Sequence, residues 1–214
     1  MSEMRTVITE RIQTGPLMVN TYVAYAQGAD SCVVIDPADA APIKKYAETY
    51  GLKIAAVLLT HCHFDHILGV PELVQDGARL YIGENDAAGL NDRSVSLCFM
   101  ELPEMKPDVL LKDGDTINEA GLSIKVISTP GHTAGGVCYV LEESSTIFAG
   151  DTLFRRSIGR TDFPGGDYEA LISSIKNKLF VLEGDYAVNP GHDRDTTLDE
   201  ERQRNPYAGR GARW

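Results

Sequence analysis

Ile54-Ala55-Ala56-Val57-Leu58-Leu59-Thr60-His61-Cys62-His63-Phe64-Asp65-His66 sets three of the chain's five histidines directly behind an apolar run. The first six residues have strand length and no polar side chain, which predicts a strand buried on both faces. The histidines are therefore expected on the loop at that strand's C-terminal end, where a rigid sheet commonly carries its functional groups. His61 and His63 are two apart, so in an extended turn both rings can converge on one ion while Cys62 points elsewhere. Asp65 and His66 emerge after Phe64 and can reach a second position.

The other two histidines each follow a glycine, in Pro130-Gly131-His132 and Pro190-Gly191-His192. No histidine is left for an ordinary core or surface role. A third ligand for each position must come from afar: His132 for the first and His192 for the second. Asp151, in Gly150-Asp151 behind an apolar strand, is placed to bridge the two. Neutral imidazole is the commonest metal ligand near neutral pH. Five imidazoles with two carboxylates exceed what one tetrahedral structural zinc can use. The surplus points to a catalytic site with two divalent ions, which about 3.5–4 Å apart can share a hydroxide and polarise a carbonyl. The donors suit zinc, iron or manganese, and ligand type alone does not choose among them; zinc is the cofactor expected first. Thr60 is read as a strand-end residue, with support of the first motif as its second possible role.

Around this stretch the chain reads as two β-rich halves with flanking helices. Thr6 to Ile12, Thr21 to Ala26 and Cys32 to Ile35 are β-prone runs separated by Gly15-Pro16 and Gly28-Ala29-Asp30. Helix is expected over Ala40 to Tyr50, with Gly51 as its stop, and again over Val70 to Gln75. Strands follow at Leu122 to Ser128, Val137 to Leu141, Thr146 to Ala149 and Tyr186 to Asn189. Tyr168 to Leu179 has helical apolar spacing through Leu171, Ile172, Ile175 and Leu179. Every ligand candidate is thus expected just beyond a strand end. With no linker or low-complexity segment, residues 1–214 are expected to form one domain, two sheets packed face to face with helices outside.

Composition narrows the function. A net charge of -11 argues against general nucleic-acid binding, which needs a basic footprint. No apolar run is long enough to span a bilayer, and Met1-Ser2-Glu3-Met4-Arg5 leads into no signal segment, so a cytoplasmic protein without membrane attachment is expected. Cys32, Cys62, Cys98 and Cys138 are dispersed without a C-x-x-C pair, which predicts reduced thiols, with core packing for Cys32, Cys98 and Cys138. Two segments run against the acidic balance. Arg155, Arg156 and Arg160 cluster after Asp151, the local positive charge that a small anionic substrate needs. Arg202, Arg204, Arg210 and Arg213 lie in the tail, where Arg210 and Arg213 read as solvated.

Thr60-His61-Cys62-His63-Phe64-Asp65-His66, with His132, Gly150-Asp151 and His192, resembles the metallo-β-lactamase superfamily signature over about Asn20 to Asn205. The resemblance implies an α/β (α+β) fold, the αββα sandwich of two mixed sheets, with a dinuclear site at one edge. It further implies that His61, His63 and His132 hold one metal, that Asp65, His66 and His192 hold the other, and that Asp151 bridges. Asp151 through Asp167, Pro190-Gly191-His192 and Glu201-Arg202-Gln203-Arg204-Asn205-Pro206 are similar to the glyoxalase II group, nearest to its short single-domain bacterial members. That resemblance implies a hydroxyacylglutathione hydrolase. It would cleave a glutathione-type thioester such as S-lactoylglutathione by attack of a metal-bridging hydroxide, with Asp151 orienting the ions and Asp65 hydrogen-bonding the nucleophile. Arg160 aligns with a basic position that contacts a glutathione carboxylate in long glyoxalase II, a role a guanidinium can fill bidentately. Arg155 and Arg156 are secondary candidates. Arg194 stands where the long enzymes have a substrate-contacting tyrosine, and their C-terminal helical domain has no counterpart here, so a broader thioesterase is a companion expectation.

Cys62 within Thr60-His61-Cys62-His63, and Gly159-Arg160-Thr161-Asp162-Phe163, also resemble the persulfide dioxygenases of the same fold. On that reading His61, His132 and Asp151 would hold a single ferrous ion, with His63, Asp65, His66 and His192 around it. Flavodiiron proteins replace a histidine of the first motif by carboxylate, nuclease members carry extra nucleic-acid domains, and a mere binding module would have broken ligand positions. None of these three fits.

Overall fold

The computed structural model describes residues 6–212; Met1 to Arg5, Arg213 and Trp214 lie outside them. β1 (Val7–Thr14), β2 (Val19–Ala26) and β3 (Ser31–Ile35) form an antiparallel meander. α1 (Ala40–Tyr50) then returns the chain to β4 (Lys53–Leu59), parallel to β3. α1 begins where the Asp39 carboxylate accepts from the Ala41 amide (3.0 Å) and ends at Gly51, whose φ of 65° supplies a left-handed cap. The chain continues through α2 (Phe64–Ile67), α3 (Val70–Gln75), β5 (Arg79–Gly83), a 3-10 turn at Ala87–Asn91, α4 (Arg93–Ser96) and β6 (Val109–Leu111). The first sheet has the order β1-β2-β3-β4-β5-β6, antiparallel at one side and parallel at the other.

The second sheet is built from β7 (Thr116–Glu119), β8 (Leu122–Ser128), β9 (Val137–Leu141) and β10 (Thr146–Gly150). A small hairpin of β11 (Leu153–Phe154) and β12 (Ser157–Ile158) precedes α5 (Tyr168–Ser174). β13 (Ala187–Pro190), β14 (Thr196–Thr197) and α6 (Leu198–Arg204) complete the chain. The sheet order is β14-β13-β10-β9-β8-β7, with β10 and β13 parallel and the remaining pairs antiparallel.

Period-two alternation divides the second sheet between two cores. Leu122, Ile124, Val126, Val137, Tyr139, Leu141 and Phe148 face the first sheet and share its core with Val33, Val57, Leu58 and Ile82. Ile127, Cys138, Val140, Ile147 and Ala149 face the other way, onto Leu171, Ile172, Ile175, Leu179 and Leu198 of the covering helices. On the far side, α1 buries Ala40, Ile43 and Ala47, and α3 buries Val70 and Leu73. The layers are therefore helix, sheet, sheet, helix, as the sequence led one to expect. The four cysteines are buried and free. No helix among the described residues is long and apolar enough to cross a membrane.

The structure departs from expectation at two helices. Asp65 and His66 do not lie on the strand-end loop, because the chain turns into α2 at Phe64. The expected helix to Leu179 is α-helical only to Ser174; Ile175–Leu179 is a π turn, in which the Phe180 amide reaches back five residues to the Ile175 carbonyl (2.9 Å). The widened turn leaves both Ile175 and Leu179 fully buried on the sheet.

The two sheets are clamped together at the histidine edge. The Val137 amide donates to the Thr60 carbonyl (2.9 Å), and the Tyr139 hydroxyl donates to the Leu59 carbonyl (2.7 Å). The Tyr22 hydroxyl and Asn20 Nδ2 both donate to the Pro190 carbonyl, at 2.8 and 3.1 Å. α5 is docked against the other Gly-His turn through Gly131. This residue has a φ of 136°, and a Cβ there would lie 2.3 Å from the Leu171 amide nitrogen. Gly131→Ala is expected to cost about 3 kcal/mol, combining left-handed strain of roughly 1–2 kcal/mol with overpacking of roughly 1–3 kcal/mol. Gly77→Ala, with φ 98° but nothing within 4 Å of the new Cβ, bears the strain alone. Urea unfolding of both variants checks this: equal losses would mean that the contact with Leu171 is not limiting.

Candidate metal centre

The seven expected side chains meet at this edge from five segments. His61 and His63 come from the turn after β4, and Asp65 and His66 from α2. His132 follows β8, Asp151 follows β10, and His192 follows β13. His61, His63 and His132 present donor atoms within 4.8 Å of one another, and so do Asp65, His66 and His192. Asp151 stands between the groups. Its Oδ2 is 3.6 Å from His132 Nε2 and 3.7 Å from His192 Nε2, and its Oδ1 is 3.5 Å from His66 Nε2.

Hydrogen bonds behind the rings decide which nitrogen faces the centre. The Asp36 carboxylate accepts from the Thr60 hydroxyl (2.6 Å) and the Thr60 amide (2.8 Å). With its proton given to Asp36, the Thr60 hydroxyl is left to accept from His61 Nδ1 (3.0 Å), which turns the Nε2 lone pair of His61 inward. Asp36 also accepts from His66 Nδ1 (3.0 Å), with the same consequence for His66 Nε2. His132 Nδ1 donates to the Arg160 carbonyl (2.7 Å), freeing its Nε2. His63 presents the opposite nitrogen, its Nδ1 lying 2.9 Å from His132 Nε2.

The donor set fits divalent cations. His61 Nε2 and Asp151 Oδ1, both turned to the centre, are buried polar atoms without a hydrogen-bond partner, a costly condition for a polar group that serves only to fold the chain. Burial, with the neighbouring imidazoles, holds His61 far below the usual imidazole range and His63 down at about 3. Both rings therefore stay neutral, the form that donates a lone pair. Burial opposes protonation of His66 too, but Asp151, Asp36 and Asp65 outweigh it and lift that ring to about 9. Burial would raise Asp65, yet its hydrogen bond from His192 and the charges of His66 and His192 bring it to about 2. The carboxylates thus favour positive charge at the second group, as a bound cation would supply. Asp36, His61 and His66 also converge within 4.8 Å, but the Asp36 oxygens are already taken by Thr60 and His66 Nδ1, so this third group braces the other two.

Asp36 and Asp86 were missed by sequence reasoning, and Thr60 was undervalued. Asp36 ends an apolar strand in the same manner as Asp151, a signal that was available. The Asp86 carboxylate, 2% exposed, accepts from the Cys62 amide, the Thr133 hydroxyl and the Gly135 amide, and nothing in its local sequence announces this. The arginines divide. Arg160 lies beside the cluster, its guanidinium 3.7 Å from the Phe163 ring centroid, and Phe163 stands edge-on to His63 at 5.9 Å. Its fork is engaged by Asp162 (2.7 and 2.6 Å). Arg156 pairs instead with Glu200 on α6 (2.7 Å), and Arg155 is exposed.

A family model described as the metallo-β-lactamase superfamily matches residues 14–192. The chain belongs to this superfamily. It is 32% identical to a probable metallo-hydrolase, YqgX, of Bacillus subtilis over 92% of this chain and 95% of that protein. It is 34% identical to the hydroxyacylglutathione hydrolase GloC of Haemophilus influenzae, over 83% and 87%. Among solved structures, BLEG-1 B3 metallo-β-lactamase superposes with a TM-score of 0.86 at 34% identity, covering 94% of this chain and 99% of that one. TTHA1623 in a di-iron-bound form gives 0.78 at 34% identity, covering 92% and 99%. ETHE1 from Myxococcus xanthus gives 0.79 at 27% identity, covering 94% and 84%. The αββα architecture and the histidine–aspartate cluster are those of the superfamily.

Proposed function

We propose that the chain is a dinuclear metallo-hydrolase that cleaves a glutathione-type thioester. The observation that carries this reading is the convergence of two complete three-residue donor groups on Asp151. His61, His63 and His132 would hold one ion, Asp65, His66 and His192 the other, with Asp151 shared; zinc or iron suits the donors. Ions held there would supply a water of lowered pKa as nucleophile and Lewis-acid polarisation of the thioester carbonyl. The protein's own residues orient the reaction. Thr60 and Asp36 lock the tautomers of His61 and His66, and the Arg160 carbonyl locks that of His132. Asp65, ionised down to about pH 2, is an acceptor at neutral pH and can hold a proton of the attacking water. Likeness to GloC, a hydroxyacylglutathione hydrolase by name, supports the thioester substrate. Likeness to ETHE1 keeps persulfide oxidation at a single iron as the second reading. Metal content decides between them: two ions per chain with thiol release supports the hydrolase, and one iron with oxygen uptake on glutathione persulfide supports the other.

Arg160 is the proposed anchor for a substrate carboxylate. Asp162 already shows that its fork accepts a carboxylate bidentately. An exposed pair of this kind is worth about 0–1 kcal/mol, so a substrate anion can replace it. Arg160→Ala is expected to raise KM about ten-fold for glutathione thioesters, the worth of one charge-assisted bond. Uncharged thioesters are expected to respond little, and an equal rise for both would remove the role.

A further inference from the structure

Asp86 is a buried carboxylate that the proposed reaction does not use. It stands three residues past the end of β5, on a segment that supplies no member of either donor group. Its Oδ2 accepts from the Cys62 amide (3.1 Å) and the Thr133 hydroxyl (2.7 Å), and its Oδ1 accepts from the Gly135 amide (2.6 Å). Cys62 lies between His61 and His63, and Thr133 follows His132. One side chain from a third segment therefore ties together the two loops that carry the first donor group. Its own backbone is pinned, with the Asp86 amide on the Gly83 carbonyl and the Gly89 amide on the Asp86 carbonyl, both at 3.0 Å. The segments approach so closely that a Cβ on Gly135 would lie 2.2 Å from the Asp86 nitrogen. The second donor group is braced by other residues: Asp36 holds His66, and Asn20 brackets His192 through Pro190, Gly191 and Asp193.

We propose that Asp86 is a positioning residue that sets the spacing between the His61–His63 turn and His132, and thereby the affinity for one of the two ions. A buried carboxylate is costly unless its lone pairs are occupied. With three donors, two of them backbone amides, it acts as a rigid spacer that the loops cannot drift from. This inference rests on the dinuclear reading above.

The test uses the full chain loaded with zinc and challenged with a chromophoric chelator, in wild type, Asp86→Asn and Thr133→Val. Asp86→Asn keeps the size of the side chain but turns an amide donor towards one of the three protein donors. Thr133→Val removes one donor at nearly constant shape. In Asp86→Asn, one ion per chain is expected to leave about 10–100-fold more readily, as when outer partners of metal ligands are removed. The other ion is expected to stay, and Thr133→Val to shift release in the same direction by less. A role confined to stability would lower the melting temperature of the metal-free protein without separating the two ions. The proposal is overturned if a folded Asp86→Asn protein keeps both ions at wild-type affinity or loses both equally. If Asp86→Asn does not fold, unchanged release from Thr133→Val overturns it instead. A wild-type chain that holds fewer than two ions sinks the dinuclear reading itself, and this is seen before any variant is compared.

Discussion

In the His63→Ala variant, thioester hydrolysis falls by more than about 100-fold and metal content drops, while the protein stays folded. Loss of an outer partner of a metal ligand costs about 10–100-fold, and removal of a ligand itself exceeds that range. His63 is expected to matter this much because its ring belongs to the first donor group and lies 2.9 Å from His132 Nε2. The fold is expected to survive because neither hydrophobic core includes this ring. Elemental analysis, circular dichroism and release of thiol from S-lactoylglutathione are the measurements. Full activity, or two ions retained at wild-type affinity, would sink the assignment of His63.

Asp36→Ala is expected to be the most destabilising polar substitution at the site, costing about 3–5 kcal/mol even in metal-free protein. That is a large share of the roughly 5–15 kcal/mol by which a domain is stable. The carboxylate, 1% exposed, is the common acceptor for the Thr60 amide, the Thr60 hydroxyl and His66 Nδ1. Alanine would leave these donors buried without an acceptor. Asp36 also sits at a φ of 52°, which aspartate tolerates better than alanine. Asp36→Asn, which keeps one oxygen, is expected to lose less. Urea unfolding of the stripped proteins measures both, and a loss below about 1 kcal/mol for Asp36→Ala would contradict the role.

Much of the candidate metal centre was legible before any fold was known. H-x-H-x-D-H is a local pattern, and the two Gly-His turns and Gly150-Asp151 each follow a strand that announces itself by apolar residues. The boundaries of α1 and α3 were legible for the same reason, since caps and periodicity act within a few residues. β5, β6 and β7 were not read. Arg79–Gly83 and Val109–Leu111 are short, and the parallel pairs that hold them, such as Tyr81 with Val109, join residues far apart in sequence. The π turn at Ile175–Leu179 was invisible too, because its apolar spacing is that of an ordinary helix.

The arginines show the same limit from another side. Charge clustering placed Arg155, Arg156 and Arg160 together as anion-binding candidates. Packing sends Arg156 to Glu200 on α6, and only Arg160 comes to rest beside Phe163 and His63. No local rule could separate them, because Glu200 is distant in sequence and close only after β13 and α6 have folded back.

What the sequence determined by itself was the chemistry: which side chains can donate to a metal, and the strand-end turns that carry most of them. Those features depend on residue type and on interactions within a few positions. Only the tertiary structure decided which nitrogen of each ring faces the centre, that Asp151 lies between the two groups, and that Asp36 and Asp86 brace the loops of the candidate ligands from behind. Each of these depends on hydrogen bonds between segments brought together by burying two shared cores, and a lone aspartate in a loop carries no trace of the partner it will meet.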